Sequence, residues 1–242
     1  MERWRTITSW QGTPTFQMGL DEALLDDADA PPTLRFYDWA PATLSLGYFQ
    51  RVVDVPAAHT CPSVVRRITG GGAIHHSEEL TFSIAVPLTH PLYRGPVATS
   101  YERIHTEIAA ALSTLGESVR MRGDGGLESD REGTGMCFHE STAQDLIWGG
   151  RKGVGSAQRR RGGRVLHHGS IKLAPGQSEE GVAGLREHAP RLTREELREL
   201  LLQRFAAAWS LEFVLEEPSA QELERAEQLG PRYADPSFVN RR

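Results

Sequence analysis

Residues 64–83, VVRRITGGGAIHHSEELTFS, decide how the rest of the chain is read. They join two arginines, a threonine, three consecutive glycines and a histidine pair to an alternating apolar segment. Three glycines in a row cost backbone entropy and pack no side chains, so such a run marks a sharp bend or a close approach by another group. Arg66 and Arg67 just before it carry fixed charge and forked donors. The pattern predicts a strand over 63–67, a turn at 70–72 and a strand that continues past His76. The glycine amides could hold a phosphate or a carbonyl oxygen; the run is equally compatible with a plain tight turn.

On the N-terminal side, 15–28 (TFQMGLDEALLDDA) spaces Phe16, Leu20, Ala23 and Leu24 as on one helix face, with Thr13 or Thr15 as cap and Pro31-Pro32 as the stop. Residues 33–50 (TLRFYDWAPATLSLGYFQ) alternate, turn at 38–41 and alternate again, which predicts a hairpin or strand pair. Phe36, Tyr37, Trp39, Tyr48 and Phe49 could wall an apolar pocket or simply pack the core.

On the C-terminal side, 80–87 predicts a strand and 101–115 a helix stopped by Gly116. Residues 123–135 (GDGGLESDREGTG) predict a mobile surface loop that leads straight into Cys137. A short strand is expected over 145–148. Gly162-Gly163, between 152–161 and the strand 164–173, marks a hairpin turn. A helix is expected within 190–215, capped by Thr193 with Glu196, and another over 219–229. Strands and helices mix without regular βαβ alternation and no linker interrupts them. The expected fold is a single α+β domain over residues 1–242.

With 39% hydrophobic and 24% charged residues, the chain has the balance of an ordinary globular protein. A formal net charge of −5 gives no general support for nucleic-acid binding. No apolar run approaches the roughly 20 residues needed to span a bilayer, and the N-terminus has no apolar signal core, so a cytoplasmic protein is expected. Cys61 and Cys137 are expected as free thiols, and no Cys or His cluster has zinc spacing, so no metal site is expected.

Three features foremost carry candidate chemistry: the turn over 66–76, Cys137 and Lys152. Cys137 follows a loop, as suits a thiol that meets a substrate, although a buried inert cysteine is the commoner case. A nearby cation would raise its thiolate fraction. Lys152 precedes the small-residue tract Gly153 to Ala157, against whose backbone a ligand could lie, and its ammonium could stabilise developing negative charge. His76 and His168 each end an apolar segment near glycine, where a histidine serves as proton shuttle or as structural partner of the backbone. Arg159–Arg161 and Arg164 form a basic tip, a solvated turn or a contact for an acidic partner.

The segments RRITGGGAIHH, KGVGSAQ and HHGSIKL, in that order, resemble the catalytic domain of the lipoate–protein ligase, octanoyltransferase and biotin-ligase family, as does LRFYDWAPATLSLGYFQ. The resemblance covers residues 20–173. It implies a mixed, largely antiparallel sheet flanked by helices, with an acyl tunnel beside the triple glycine. Cys137, fifteen residues before Lys152, looks like the nucleophile of the cysteine-dependent octanoyltransferases. The ATP-dependent ligases generally lack a cysteine there, and the other octanoyltransferase branch places its cysteine after the HG motif, where this chain has none.

In family terms, Cys137 would take octanoyl from acyl carrier protein as a thioester. It would pass the chain to a lysine of a lipoyl-domain protein such as the glycine-cleavage H protein. Lys152 would lower the thiol pKa and steady the acyl carbonyl. Arg66, Arg67, Thr69, Gly70, Gly71, Gly72, Ala73, His76, Gly155, Ser156, Ala157, His168, Gly169 and Ser170 would bind substrate. No metal, nucleotide or other cofactor would be needed. Two rivals remain: an ATP- and Mg-dependent lipoate ligase in which Cys137 is incidental, and a non-catalytic module binding an acyl group or a lipoyl domain.

Overall fold

A computed structural model describes residues 1–242. Eleven strands form two sheets. The larger contains β1 (Glu2–Ser9), β2 (Thr33–Tyr37), β6 (Glu79–Pro87), β7 (Arg120–Met121), β8 (Leu146–Trp148), β9 (Arg151–Arg161), β10 (Arg164–Lys172) and β11 (Leu211–Leu215). Its order is β11-β1-β2-β6-β10-β9-β8-β7. Only the β11/β1 and β1/β2 ladders are parallel, so the sheet is mixed and largely antiparallel. The smaller sheet is β4 (Val64–Arg66), β3 (Thr43–Leu46) and β5 (Ile74–His76), in the order β4-β3-β5.

Alternation along the strands builds two apolar layers. Leu34, Phe36, Phe82, Ile84, Val165 and Ile171 face α2 (Val97–Ser113) and α3 (Arg194–Trp209) in the larger core. On the other face, Ile7, Tyr37, Ala85 and Leu166 meet α1 (Pro14–Asp26) and α4 (Ala220–Leu229). Local signals set the helix ends. Thr13 Oγ1 accepts the Phe16 amide at 3.3 Å, and Pro14 opens α1 without a donor to waste. Thr193 and Glu196 form the expected reciprocal cap of α3. Ser219 and Glu222 cap α4 in the same way, and the buried Glu222 carboxylate also holds Arg5 of β1 at 2.5 Å.

The structure departs from the sequence reading at two points and extends it at two. The segment after the glycines does not run through His76 as one strand: it breaks at Ser77-Glu78, with β5 in the small sheet and β6 in the large one. Residues 33–50 are two strands around a loop and not a hairpin, because β2 and β3 belong to different sheets and the turn between them carries the chain from one to the other. The helix expected within 190–215 is α3, which ends at Trp209. Ser210 takes the left-handed conformation (φ 54°, ψ 47°), and residues 211–215 become β11, parallel to β1. The N-terminal residues form β1, a strand that the sequence reading did not assign. The β9–β10 hairpin turns at Gly162 and Gly163 as expected, with φ of 57° and 78°, the conformation that a two-residue hairpin loop demands.

Candidate active site

The site forms where the small sheet faces the β9–β10 hairpin. Main-chain bonds tie the glycine loop to the cysteine segment. Ala73 N–H donates to Gly135 O at 2.8 Å, and Cys137 N–H donates to Ala73 O at 2.7 Å. Gly72 permits this approach: a Cβ there would lie 2.7 Å from Cys137 N and 2.8 Å from its Cα. Cys137 opens a single turn of 3-10 helix and is half-buried. Neither Cys137 nor Cys61 forms a disulfide.

Lys152 reaches Cys137 because β9 contains an irregularity. Leu146 pairs with Val154 and Ile147 with Lys152, which leaves Gly153 as an extra residue between them. Such a bulge turns the side chains beyond it to the opposite face. Without it, Lys152 would share the face of Val154, inside the larger core. With it, the lysine joins Gly155 and Ala157. Gly153 itself can carry no side chain, because a Cβ there would overlap the Trp148 ring.

Lys152 Nζ stands 3.5 Å from Cys137 Sγ and donates to Cys137 O at 2.7 Å, to Glu140 O at 3.2 Å and to Asp145 Oδ2 at 2.8 Å. Burial favours the neutral amine, but Cys137 and the Asp145 carboxylate outweigh it and hold its pKa above the usual lysine value. The lysine is therefore a fixed cation beside the sulfur. Gly155 closes the group: a Cβ there would lie 3.0 Å from Lys152 Cε and 3.3 Å from both Nζ and Sγ.

From Cys137 a slot runs between the sheets. It is narrow, with an empty volume of about 400 Å³ that includes its opening to solvent. Its walls include Arg67, Gly71, His76, Gly155, Ser156, Ala157, His168, Gly169 and Ser170 of the expected residues. Lys152, Gly72 and Ala73 stand behind Cys137. Thr69 acts through His168, whose Nε2 lies 2.6 Å from Thr69 Oγ1.

Three of the expected residues do other work. Arg66 points away from the slot and binds the carbonyls of Gly47, Gln50 and Val239. Arg67 borders the slot, but its terminal nitrogens are taken up by Ser45 O and Oγ and by Gly70 O and Gly72 O, so it shapes the glycine loop. Burial lowers its pKa to about 10, still a cation at neutral pH. Ser156 contributes backbone only, since its hydroxyl lies on the opposite face of β9.

There it joins a directed chain. Gln158 Nε2–H donates to His167 Nδ1 at 3.2 Å, which leaves the His167 proton on Nε2, 2.8 Å from Ser156 Oγ. The Ser156 hydroxyl donates in turn to His105 Nε2 at 2.7 Å, and His105 Nδ1–H donates to Gln144 O at 2.5 Å. Burial keeps both imidazoles neutral by lowering their pKa values. Gln144 precedes Asp145, so the chain anchors the turn that presents Asp145 to Lys152.

Met18, Ser45 and Thr81, which sequence reasoning left out, complete the slot together with Ile74, Tyr37 and Trp39. Tyr37 and Trp39 belonged to the aromatic group considered for a pocket. Of the others in that group, Phe36 packs on the far face and Phe49 is 61% exposed. Trp39 stacks on His76, with ring centroids 4.0 Å apart and planes at 15°. His76 lies 2.7 Å from Ser45 Oγ through Nε2 and 2.5 Å from Glu79 through Nδ1, and burial outweighs the Glu79 charge to bring its pKa down to about 4. Glu79 also receives Ser170 Oγ–H and Lys172 Nζ, and Lys172 pairs with Glu179 as well. His168 Nδ1 faces Asp21, which also binds Arg35, Tyr37 and Ser83. The sequence held a signal for this network: Glu79, Thr81 and Ser83 on β6, and His168, Ser170 and Lys172 on β10, put a polar residue at every second position of fully buried strands.

A thiol, a fixed ammonium 3.5 Å from it and a narrow slot thus stand together. A model of the lipoyl protein ligase A/B catalytic domain matches residues 13–179, and the chain belongs to that family. It is 41% identical over 179 residues to octanoyltransferase LipM of Moorella thermoacetica, covering 71% of this chain and 66% of that protein. It is 34% identical over 265 aligned positions to octanoyltransferase LipM of Kyrpidia tusciae, covering 96% of this chain and 97% of that protein. The chain thus spans about two thirds of the first relative's length and nearly all of the second's. Protein Ta0514 of T. acidophilum with bound lipoic acid superposes with a TM-score of 0.81 at 21% identity, over all of both chains. Lipoate-protein ligase A bound with ATP gives 0.77 at 21%, over 99% of each. These two likenesses show the fold. No helix is long and apolar enough to cross a membrane.

Proposed function

We propose that this protein is an octanoyltransferase that works through Cys137. The Cys137 thiolate attacks the carbonyl of an octanoyl thioester on an acyl carrier protein. The carrier thiolate leaves and takes up a proton, and octanoyl-Cys137 remains. The free amine of a lysine on a lipoyl-domain protein, such as the glycine-cleavage H protein, then attacks that thioester. An amide forms, the amine sheds a proton and the Cys137 thiolate is regenerated. Lys152 supports both tetrahedral intermediates as a fixed positive charge. Neither ATP nor a metal is required, because the incoming thioester already carries the driving force. The reaction and both partners belong in the cytoplasm.

The observation that carries this reading is the 3.5 Å separation of Cys137 Sγ and Lys152 Nζ at the end of a narrow slot. At about 0.8 kcal/mol per buried methylene, an eight-carbon chain gains roughly 5 kcal/mol from such walls. The 34–41% identity to octanoyltransferases named LipM supports the same choice over a ligase.

The test combines the protein with octanoyl–acyl carrier protein and an unmodified lipoyl domain, without ATP, and weighs the products by mass spectrometry. The expected result is an octanoylated lipoyl domain and a trapped octanoyl-enzyme, both abolished in Cys137→Ala. Product only with ATP and free octanoate or lipoate, tolerant of Cys137→Ala, would establish the ligase instead. No product under either condition would leave a binding module.

Residues 123–135 are the segment that settles over bound substrate in this reading. They lead into Met136-Cys137 and are tied at their end by Gln50 Nε2–H to Gly135 O at 2.7 Å. Amide exchange across 124–133 should slow when octanoyl carrier is added to Cys137→Ala, and unchanged exchange would remove the segment from the cycle.

A further inference from the structure

The basic hairpin of the sequence reading is mostly occupied. Arg161 pairs with Glu22 and Asp26, Arg164 is buried against the carbonyls of Leu24 and Ala30, and Arg160 reaches Ser100 Oγ. Arg159 alone is left over, and it joins a different surface. Its guanidinium lies 5.3 Å from the Tyr48 ring centre, and Arg241 covers the same ring at 4.1 Å. Arg242 lies 5.4 Å from the ring of Phe49, which is 61% exposed. None of these three arginines has an ion-pair partner. The Tyr48 hydroxyl registers the field: its pKa is lowered by Arg241 foremost and by the charges of Arg159 and Arg242. In a chain of net charge −5, this is a concentrated positive surface with two aromatic rings at its centre.

The surface adjoins the slot. Phe49 lies against Gly70, where a Cβ would stand 3.7 Å from its ring, and Gly71 borders the slot. Arg159 follows Gly155 and Ala157 on one face of β9. Four residues of strand put its backbone about 13 Å from Gly155, beside which the Cys137 sulfur rests. That distance suits a partner that reaches the sulfur on a long arm. An acceptor lysine extends its amine on only four methylenes, so its protein must sit close to the sulfur. A carrier protein bears its acyl group on a much longer prosthetic arm and docks further away.

The geometry points to the face formed by Tyr48, Phe49, Arg159, Arg241 and Arg242 as the docking surface for the acidic carrier protein that donates the acyl group. This rests on the octanoyltransferase reading, and it adds which face receives the donor. Complementary charge raises the rate of encounter and fixes orientation, and the exposed ring supplies the apolar contact.

The experiment compares the wild type, Phe49→Ala and the double variant Arg241→Glu/Arg242→Glu. Two donors are used, octanoyl–acyl carrier protein and the octanoyl thioester of N-acetylcysteamine, and binding of the carrier is measured separately by calorimetry. We expect the KM for the carrier to rise about tenfold or more in the double variant, with weaker carrier binding and a flatter salt dependence. The rate with the small thioester should stay within about twofold of wild type, which also shows that the variants fold. An unchanged KM and affinity for the carrier would overturn the assignment. So would a rise confined to the KM of the lipoyl-domain acceptor. Loss of carrier binding in a protein inactive with both donors would keep the docking face and overturn the octanoyltransferase reading instead.

Discussion

Gly155→Ala tests the reacting centre with one methyl group. Gly155 has ordinary strand dihedrals, so the backbone accepts alanine, and a strand glycine replaced by alanine gains about 0.5–1 kcal/mol in conformational entropy. Against this, the new methyl meets Lys152 Cε at 3.0 Å and both Nζ and Sγ at 3.3 Å. Lys152 Nζ is held by three acceptors at 2.7, 2.8 and 3.2 Å, so it cannot move aside without loosening them. The strain offsets the entropy gain, and stability should stay within about 1 kcal/mol of wild type, a Tm change of about 2–4 °C. Chemistry has less tolerance, since a misplacement of about 1 Å costs up to about 10²-fold in rate. The assay is alkylation of Cys137 by iodoacetamide, followed by peptide mass spectrometry so that Cys61 is counted apart, beside the octanoyl-transfer rate. Slower alkylation and transfer in a protein that still melts cooperatively is the expected outcome. Wild-type rates for both would refute the argument that these three atoms form the reacting centre.

His105→Ala should act on the same centre from behind. It leaves the Ser156 hydroxyl proton without an acceptor and the Gln144 carbonyl without its donor, at about 1–3 kcal/mol each, and it should slow Cys137 alkylation by loosening the Asp145 turn; urea denaturation and the alkylation rate check the two effects. Acid stability should depend on His76. Its folded pKa of about 4 lies below the unfolded value near 6.5, so the unfolded chain binds the extra proton between those limits and stability falls as pH drops from 6.5 to 4. The loss is on the order of 3 kcal/mol by pH 4, and His76→Gln should flatten that part of the curve in denaturation series from pH 4.5 to 7.5.

Local chemistry made much of this legible in advance. Thr13, Thr193 with Glu196, and Gly162-Gly163 marked element ends by their own hydrogen-bonding and dihedral preferences, and each stands where it was read. The pairing of Cys137 with Lys152 followed from family likeness. What was not legible depends on distant partners. Trp4 and Ile7 of β1 face different cores, and their strand is recognisable as one only beside Leu211 and Phe213, far along the chain. Residues 211–215 lay within the stretch read as holding a helix, and it is Ser210, turned left-handed, that separates them as a strand. The inversion at Gly153 cannot be seen in KGVGSAQ, because it is a property of the register with β8. Asp145 showed nothing of its role, since only the folded turn brings its carboxylate to Lys152.

The place of β1 has a consequence for how the protein emerges from the ribosome. Its inner side can be matched to β2 as soon as residue 37 is available, but its other side waits for residues 211–215. Between the synthesis of residue 37 and that of residue 215 the growing chain therefore exposes an unsatisfied strand edge, the kind that invites pairing with a neighbouring chain. Arg3 and Arg5, charged and on that strand, are well placed to discourage such trespass until the last segment arrives.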